Sequence, residues 1–262
     1  APLKMAMNGI VSDVPETHAV GVTTGNRFPG APVQLARERL RSGHIRGLVV
    51  NNRIANVASP TGYADAVALA AAYASRFDLP PEQVLSVSTG VIGWSLPVAK
   101  MLPVIDSLER YETDAATFAR GIMTTDRYPK LAWNTTSGGA TVLGCVKGAG
   151  MVEPNLATML GFFLTDAVVD PARLQSAFVR VVEQTFNTIS IDSDQSTSDM
   201  VLLLANGSSG VSLSDTELET ALLPVAERLA EEIVRNGEGT SHVIEVCVRG
   251  MADRAIARAI GK

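Results

Sequence analysis

At 262 residues, 46% hydrophobic and 19% charged, the chain is long and apolar enough to bury a sizeable core, which excludes a fully disordered protein. A formal net charge of -5 supplies no global attraction for polyanions, so nucleic acid is not an expected partner. No run of about 18 apolar residues that would span a membrane occurs, and the opening APLKMAMNG lacks the charged and hydrophobic regions of a signal peptide, so the expectation is a cytoplasmic protein with one large domain and a minor lobe.

Along the chain, short β-rich runs alternate with longer amphipathic stretches, the pattern of a layered α/β architecture. HAVGVTT near the start is strand-like, and a helix is expected over 33–41, a strand over 47–51, a helix over 63–76 and a strand over 84–88. Helices over 97–108 and 114–123, a strand over 140–146, a helix over 171–186, a strand over 200–205, a helix over 215–235 and a strand over 243–248 follow. Two helix starts are well signalled: Asp170 precedes Pro171 at a first helical position, and Ser214 stands three residues before Glu217 as a capping box. TTSGGA and NGSSG are short enough to be loops.

The two cysteines, Cys145 and Cys247, lie in apolar stretches that read as buried strands, so two reduced core thiols are expected. His18, His44 and His242 show no HxH or HxxxH spacing, and no zinc site is expected from them. SIDSDQSTSD carries Asp192, Asp194 and Asp199 but neither the glycine nor the terminal glutamate of an EF-hand; it reads as a polar, self-bonded loop.

Three Gly- or Thr-rich segments combine hydroxyls with permissive backbone: SVSTGVIG, KGAGMVEPNLATML and NGEGTS. Each alone reads as an ordinary connection, a strand-to-helix turn, a Gly-rich loop and a helix C-terminus. Neither GxxxxGK[ST] nor GxGxxG is present, and Lys147 precedes its glycines, the wrong order for a phosphate-binding loop. The second segment does place a threonine directly after a small residue, Ala157-Thr158, ahead of an apolar run. Cleavage before that threonine would create an α-amino group beside its hydroxyl, and such a group titrates near ~7.7–8.0, so it can act as the base.

KGAGMVEPNLATML resembles the cleavage-site signature of the ornithine acetyltransferase family, and STGVIG, IMTTDRYPK, SIDSDQSTSDMVLLLANG and NGEGTSHVIEV match further family segments in order. The resemblance implies an αββα sandwich of the N-terminal-nucleophile type, with residues 1–240 as the catalytic core and 241–262 as the start of a smaller C-terminal lobe. The family's DPNWGR segment is not in this sequence, and VVNNRIANVASPTG replaces its SGNANACTG-like run while keeping Ala55-Asn56.

Carried over by position, the resemblance makes Ala157-Thr158 the self-cleavage site, Thr158 the nucleophile, and Thr89 and Gly90 the oxyanion hole. Thr124, Lys147, Thr158 and Glu238 fall on the positions that hold the amino-acid substrate; a lysine suits a carboxylate and a glutamate an ammonium. The implied reaction is ping-pong acetyl transfer from N2-acetylornithine to glutamate through an acetyl-threonine ester, with no cofactor. The implied assembly is a heterodimer of the two cleaved fragments within a larger homo-oligomer. An N-terminal-nucleophile amidohydrolase or aminopeptidase, with water as acceptor, would use the same residues, and a binding module that keeps only the fold is the non-enzymatic alternative.

Overall fold

The computed structural model describes residues 4–109, 114–152 and 159–262. Its strands are β1 (Met7–Val11), β2 (His18–Thr23), β3 (Gly47–Asn51), β4 (Val84–Ser88), β5 (Lys130–Thr135), β6 (Thr141–Lys147), β7 (Leu160–Thr165), β8 (Val168–Val169), β9 (Met200–Ala205) and β10 (Ser212–Leu213). The α-helices are α1 (Ala31–Arg39), α2 (Gly62–Phe77), α3 (Val98–Asp106), α4 (Ala115–Gly121), α5 (Pro171–Gln184), α6 (Asp215–Arg235) and α7 (Arg254–Gly261).

Two main sheets form, one of order β1-β3-β4 and one of order β2-β9-β7-β6-β5. In the larger, β7 and β9 run parallel, with Leu160 opposite Met200 and Thr165 opposite Ala205, while the remaining pairs are antiparallel. The period of two along each strand sorts its side chains between two cores. Met200, Leu202 and Leu204 of β9 and Leu160 and Phe162 of β7 meet Leu48 and Val50 of β3 and Leu85 and Val87 of β4 in a core between the sheets. The alternate residues Val201, Leu203, Ala205 and Phe163 pack outward against Leu174, Phe178, Leu222 and Leu229 of α5 and α6. On the far side, Val49 and Val84 face Leu69, Ala70, Tyr73 and Phe77 of α2 and Met101 and Ile105 of α3. The layer order is therefore helix, sheet, sheet, helix. A one-residue slip in β9 would exchange its two faces, so burial on both sides pins its register.

Local signals explain the outer helices. The Asp170 side chain accepts the Ala172 N–H ahead of Pro171, and Ser214 and Glu217 form the reciprocal capping box of α6. The apolar run at 243–248 does not form a strand: Val243, Ile244 and Val246 are exposed, and no described strand pairs with them. A strand without a ladder partner leaves its backbone groups to water and gains nothing from extension. Cys247 is accordingly exposed rather than buried, while Cys145 is buried as expected, its thiol pushed up to about 12 by burial; both are free. After this segment, α7 is capped by Asp253 and tied to α5 by an Arg258–Glu183 ion pair.

Candidate active site

The residues singled out in sequence come from four places: the end of β4, the loop after α4, the end of β6 and the loop after α6. Thr89 is buried and Gly90 exposed directly after β4. The Thr89 N–H donates to Asn51 O at 3.1 Å and Val91 N–H to Arg53 O at 2.9 Å, which fastens this turn to the chain following β3. Among the described residues, the Thr89 hydroxyl and the Gly90 N–H donate no hydrogen bond. Within the described residues they are two open donors on a held backbone, the kind of group an oxyanion site uses. Gly90 has φ +132°, and a Cβ there would sit 2.1 Å from the Arg53 carbonyl carbon, so only glycine fits.

Arg53 carries the structure from this turn to the next loop. Its own backbone is left-handed at φ +80°, and its guanidinium donates to Thr124 O at 3.2 Å. Asn52 beside it donates to Gly121 O and Met123 O at 3.1 and 3.0 Å, so the chain after β3 holds the last residue of α4 and the loop that follows it at three points.

Lys147 is 2% exposed, a buried cation at the end of β6 and not a solvated loop charge. Its Nζ lies 3.5 Å from Thr124 Oγ1, a long contact that leaves the ammonium with hydrogens to donate. Burial pushes its pKa down, opposed by the charges of Asp126, Asp199 and Glu238 and reinforced by that of Lys130. Glu238 is exposed; its carboxylate takes the Thr125 hydroxyl and lies over Gly150, while its N–H donates to Ala149 O at 2.6 Å. Thr124, Lys147 and Glu238, distant in sequence, are thus brought together by contacts through Thr125 and the chain at 147–150.

Sequence reasoning assigned no role to Asp126, Lys130, Asn236 or Arg53, and treated Asp199 only as part of a polar loop. Asp199 is fully buried directly before β9, and its Oδ1 accepts the Met159 N–H at 2.9 Å. Burial raises its pKa to about 8, against the pull of the Met159 amide, the Lys147 charge and the hydroxyls of Ser196 and Thr24. Asp192 accepts the N–H groups of Met151, Val152 and Asp194, so this run docks onto the segment after Gly150 as well as bonding to itself. Ala157 and Thr158 lie outside the described residues, Thr158 two positions before β7 begins at Leu160 in the sequence.

The histidines that looked separate in sequence are partly gathered: the His18 and His44 rings stand 4.8 Å apart, and His242 bonds to Ser241. Among the described residues no group of three His, Cys, Asp or Glu side chains is placed to hold a metal ion. None of the described helices is long and apolar enough to cross a membrane.

The layered sheets and the turn after β4 define an α/β sandwich of the N-terminal-nucleophile type, the class seen in solved ornithine acetyltransferases. Residues 3–262 match the ArgJ family, and the chain belongs to that family of acyltransferases. It is 42% identical over its whole length to glutamate N-acetyltransferase Oat2 of Streptomyces clavuligerus, covering 68% of that protein. It is 40% identical to the arginine biosynthesis bifunctional protein ArgJ of Lactococcus lactis, with 97% of this chain and 66% of that protein aligned. The chain thus spans about two thirds of the length of these relatives. Among solved structures, the ornithine acetyltransferase of Mycobacterium tuberculosis complexed with ornithine superposes with a TM-score of 0.54 at 31% identity, covering 57% of this chain and 82% of that one. The ArgJ protein of Bacillus halodurans gives 0.53 at 32% identity, over 59% and 82%.

Proposed function

We propose that this chain transfers an acetyl group from N2-acetylornithine to glutamate by a ping-pong route, with Thr158 as nucleophile after cleavage of the Ala157-Thr158 bond. The observation that carries the reading is the buried Lys147 ammonium, under-bonded beside Thr124, with Glu238 held at the same loop. A buried cation with unspent donors is costly unless a ligand anion completes it, and an amino-acid carboxylate does so. Glu238 then takes the ammonium end of the same substrate.

The Thr158 hydroxyl attacks the acetyl carbonyl while its new α-amino group accepts the proton. The Thr89 hydroxyl and Gly90 N–H receive the oxyanion. Collapse breaks the amide C–N bond, the α-ammonium returns the proton to the departing amine of ornithine, and acetyl-threonine remains. The glutamate amine attacks that ester, and the threonine oxygen leaves and regains a proton. Atoms balance without a cofactor, because the ester stores the acyl group.

Residues 1–240 form the catalytic core on this reading, consistent with the three apolar clusters, which all end by Ile233. Residues 241–262 begin a second, smaller lobe. The cleaved fragments stay together as a heterodimer that associates further, in the cytoplasm.

Denaturing mass spectrometry tests the reading. The expressed protein should separate into two polypeptides, and N2-acetylornithine without glutamate should add a single acetyl group, about 42 Da, to the piece that starts at Thr158. Glutamate should discharge it as N-acetylglutamate. Discharge by water at the same rate makes the protein a hydrolase, and an uncut chain that never carries an acyl group removes Thr158 from the mechanism.

A further inference from the structure

Beneath Thr124 lie two buried ammonium groups, Lys130 at 1% and Lys147 at 2% exposure, and they are bonded very differently. Lys130 Nζ donates to Asp126 Oδ1 at 2.5 Å and to Asn236 Oδ1 at 3.1 Å, and stands 5.5 Å from the centre of the Tyr128 ring. Its charge is spent within the protein. Lys147 has only the 3.5 Å contact with Thr124 Oγ1 among the described residues.

One carboxylate makes the difference. Asp126 Oδ1 also accepts the N–H of Gly148, the residue after Lys147, at 2.8 Å, and Oδ2 accepts the N–H of Thr124 at 3.1 Å. Asp126 therefore grips the backbone of both residues that border the unspent ammonium. Because Lys130 and these two amides occupy its oxygens, Asp126 does not close a salt bridge onto Lys147.

We propose that Asp126 is a positioning residue for the substrate carboxylate: it fixes Thr124 and Lys147, while Lys130 engages it so that the Lys147 ammonium stays free for the substrate. This rests on the reading of Lys147 given above. The groups whose charges act on Lys147 are Asp126, Asp199 and Glu238, which favour its charged form, and Lys130, which opposes it; Glu232 acts on Lys130.

The test uses the full chain and follows KM and kcat for N2-acetylornithine against pH in three variants. Asp126→Asn should raise KM roughly 10- to 100-fold with kcat nearly unchanged, since a misplaced binding group costs that much. It also removes an anion near Lys147, so the alkaline rise in KM should begin at lower pH than in the unmodified protein. Lys130→Met should raise KM as well, because Asp126 is released to pair with Lys147. Its alkaline rise should move to higher pH, since a repelling cation is gone and an anion has approached. Opposite displacements of the two pH limbs are what mere loosening of the fold does not produce, and Lys130→Met alone decides the sign should Asp126→Asn fail to fold. Lys147→Met separates the two readings. If it leaves KM unchanged, the substrate role of Lys147 fails; if it raises KM while Asp126→Asn and Lys130→Met do not, or while both limbs move together, the positioning role of Asp126 is overturned.

Discussion

Gly90→Ala probes the turn after β4 most directly, because the structure sets the size of its effect. The added methyl carbon would lie 2.1 Å from the Arg53 carbonyl carbon and 2.3 Å from its oxygen, both backbone atoms that cannot rotate aside. Ordinary carbon contacts begin near 3.5 Å, so the two segments must part by roughly 1 Å or more. That displacement breaks the 2.9 Å bond from Val91 N–H to Arg53 O, which is worth about 1 kcal/mol. Holding alanine at a φ of +132° adds strain of about 1–2 kcal/mol. A loss of about 2–3 kcal/mol lowers the melting temperature by roughly 5–10 °C in a chain of this size. On the proposed mechanism the Gly90 N–H also leaves the oxyanion, and kcat for acetyl transfer should fall roughly 10²- to 10³-fold. Scanning fluorimetry and steady-state kinetics on the same preparation read both effects. If kcat stays within about threefold while the melting temperature falls as expected, the turn is structural and the oxyanion assignment is wrong; an unchanged melting temperature would refute the contact itself.

Thr89→Ala removes the second donor without a clash, so turnover should slow by roughly 10²- to 10³-fold while KM for N2-acetylornithine changes little, and a slowing below about threefold takes Thr89 out of the oxyanion hole. Asp199→Asn tests the buried carboxyl by linkage. Its pKa rises from 3.8 unfolded to about 8 folded, so the folded state binds the extra proton and the native protein loses stability from this group as pH climbs from about 4 to 8. Asparagine keeps an oxygen for the Met159 N–H but cannot ionise, so the variant's melting temperature should gain on the native protein's across that window. A difference between the two that does not vary with pH would show that Asp199 ionises normally.

Much of the scaffold was legible in the sequence for reasons that lie in neighbouring residues. The strands at 47–51, 84–88 and 200–205 and the helix at 215–235 form within the expected bounds. Each strand is a short run rich in Val and Leu, and the helix starts at a capping box with its apolar stripe intact. The same reasoning failed for 243–248, because an apolar β-branched run states a preference that only a partner strand can realise. It also gave no sign of β5, which begins with Lys130, a residue that local pattern assigns to water. Lys130 is buried because Asp126 lies four residues away and Asn236 lies 106 residues further on.

The site divides in the same way. The residue types at Thr89, Gly90, Lys147 and Glu238 were chosen from motifs, and the sequence determined that they belong to the ArgJ family. Only the tertiary structure decided that Lys147 is buried with a single long contact among the described residues, that Arg53 links the turn after β4 to Thr124, and that Asp126 joins Thr124 to Gly148. Local sequence encodes propensity and periodicity within a few residues. The charge state and free hydrogens of a buried group depend on which distant side chains reach it first, and that is settled when the sheets pack.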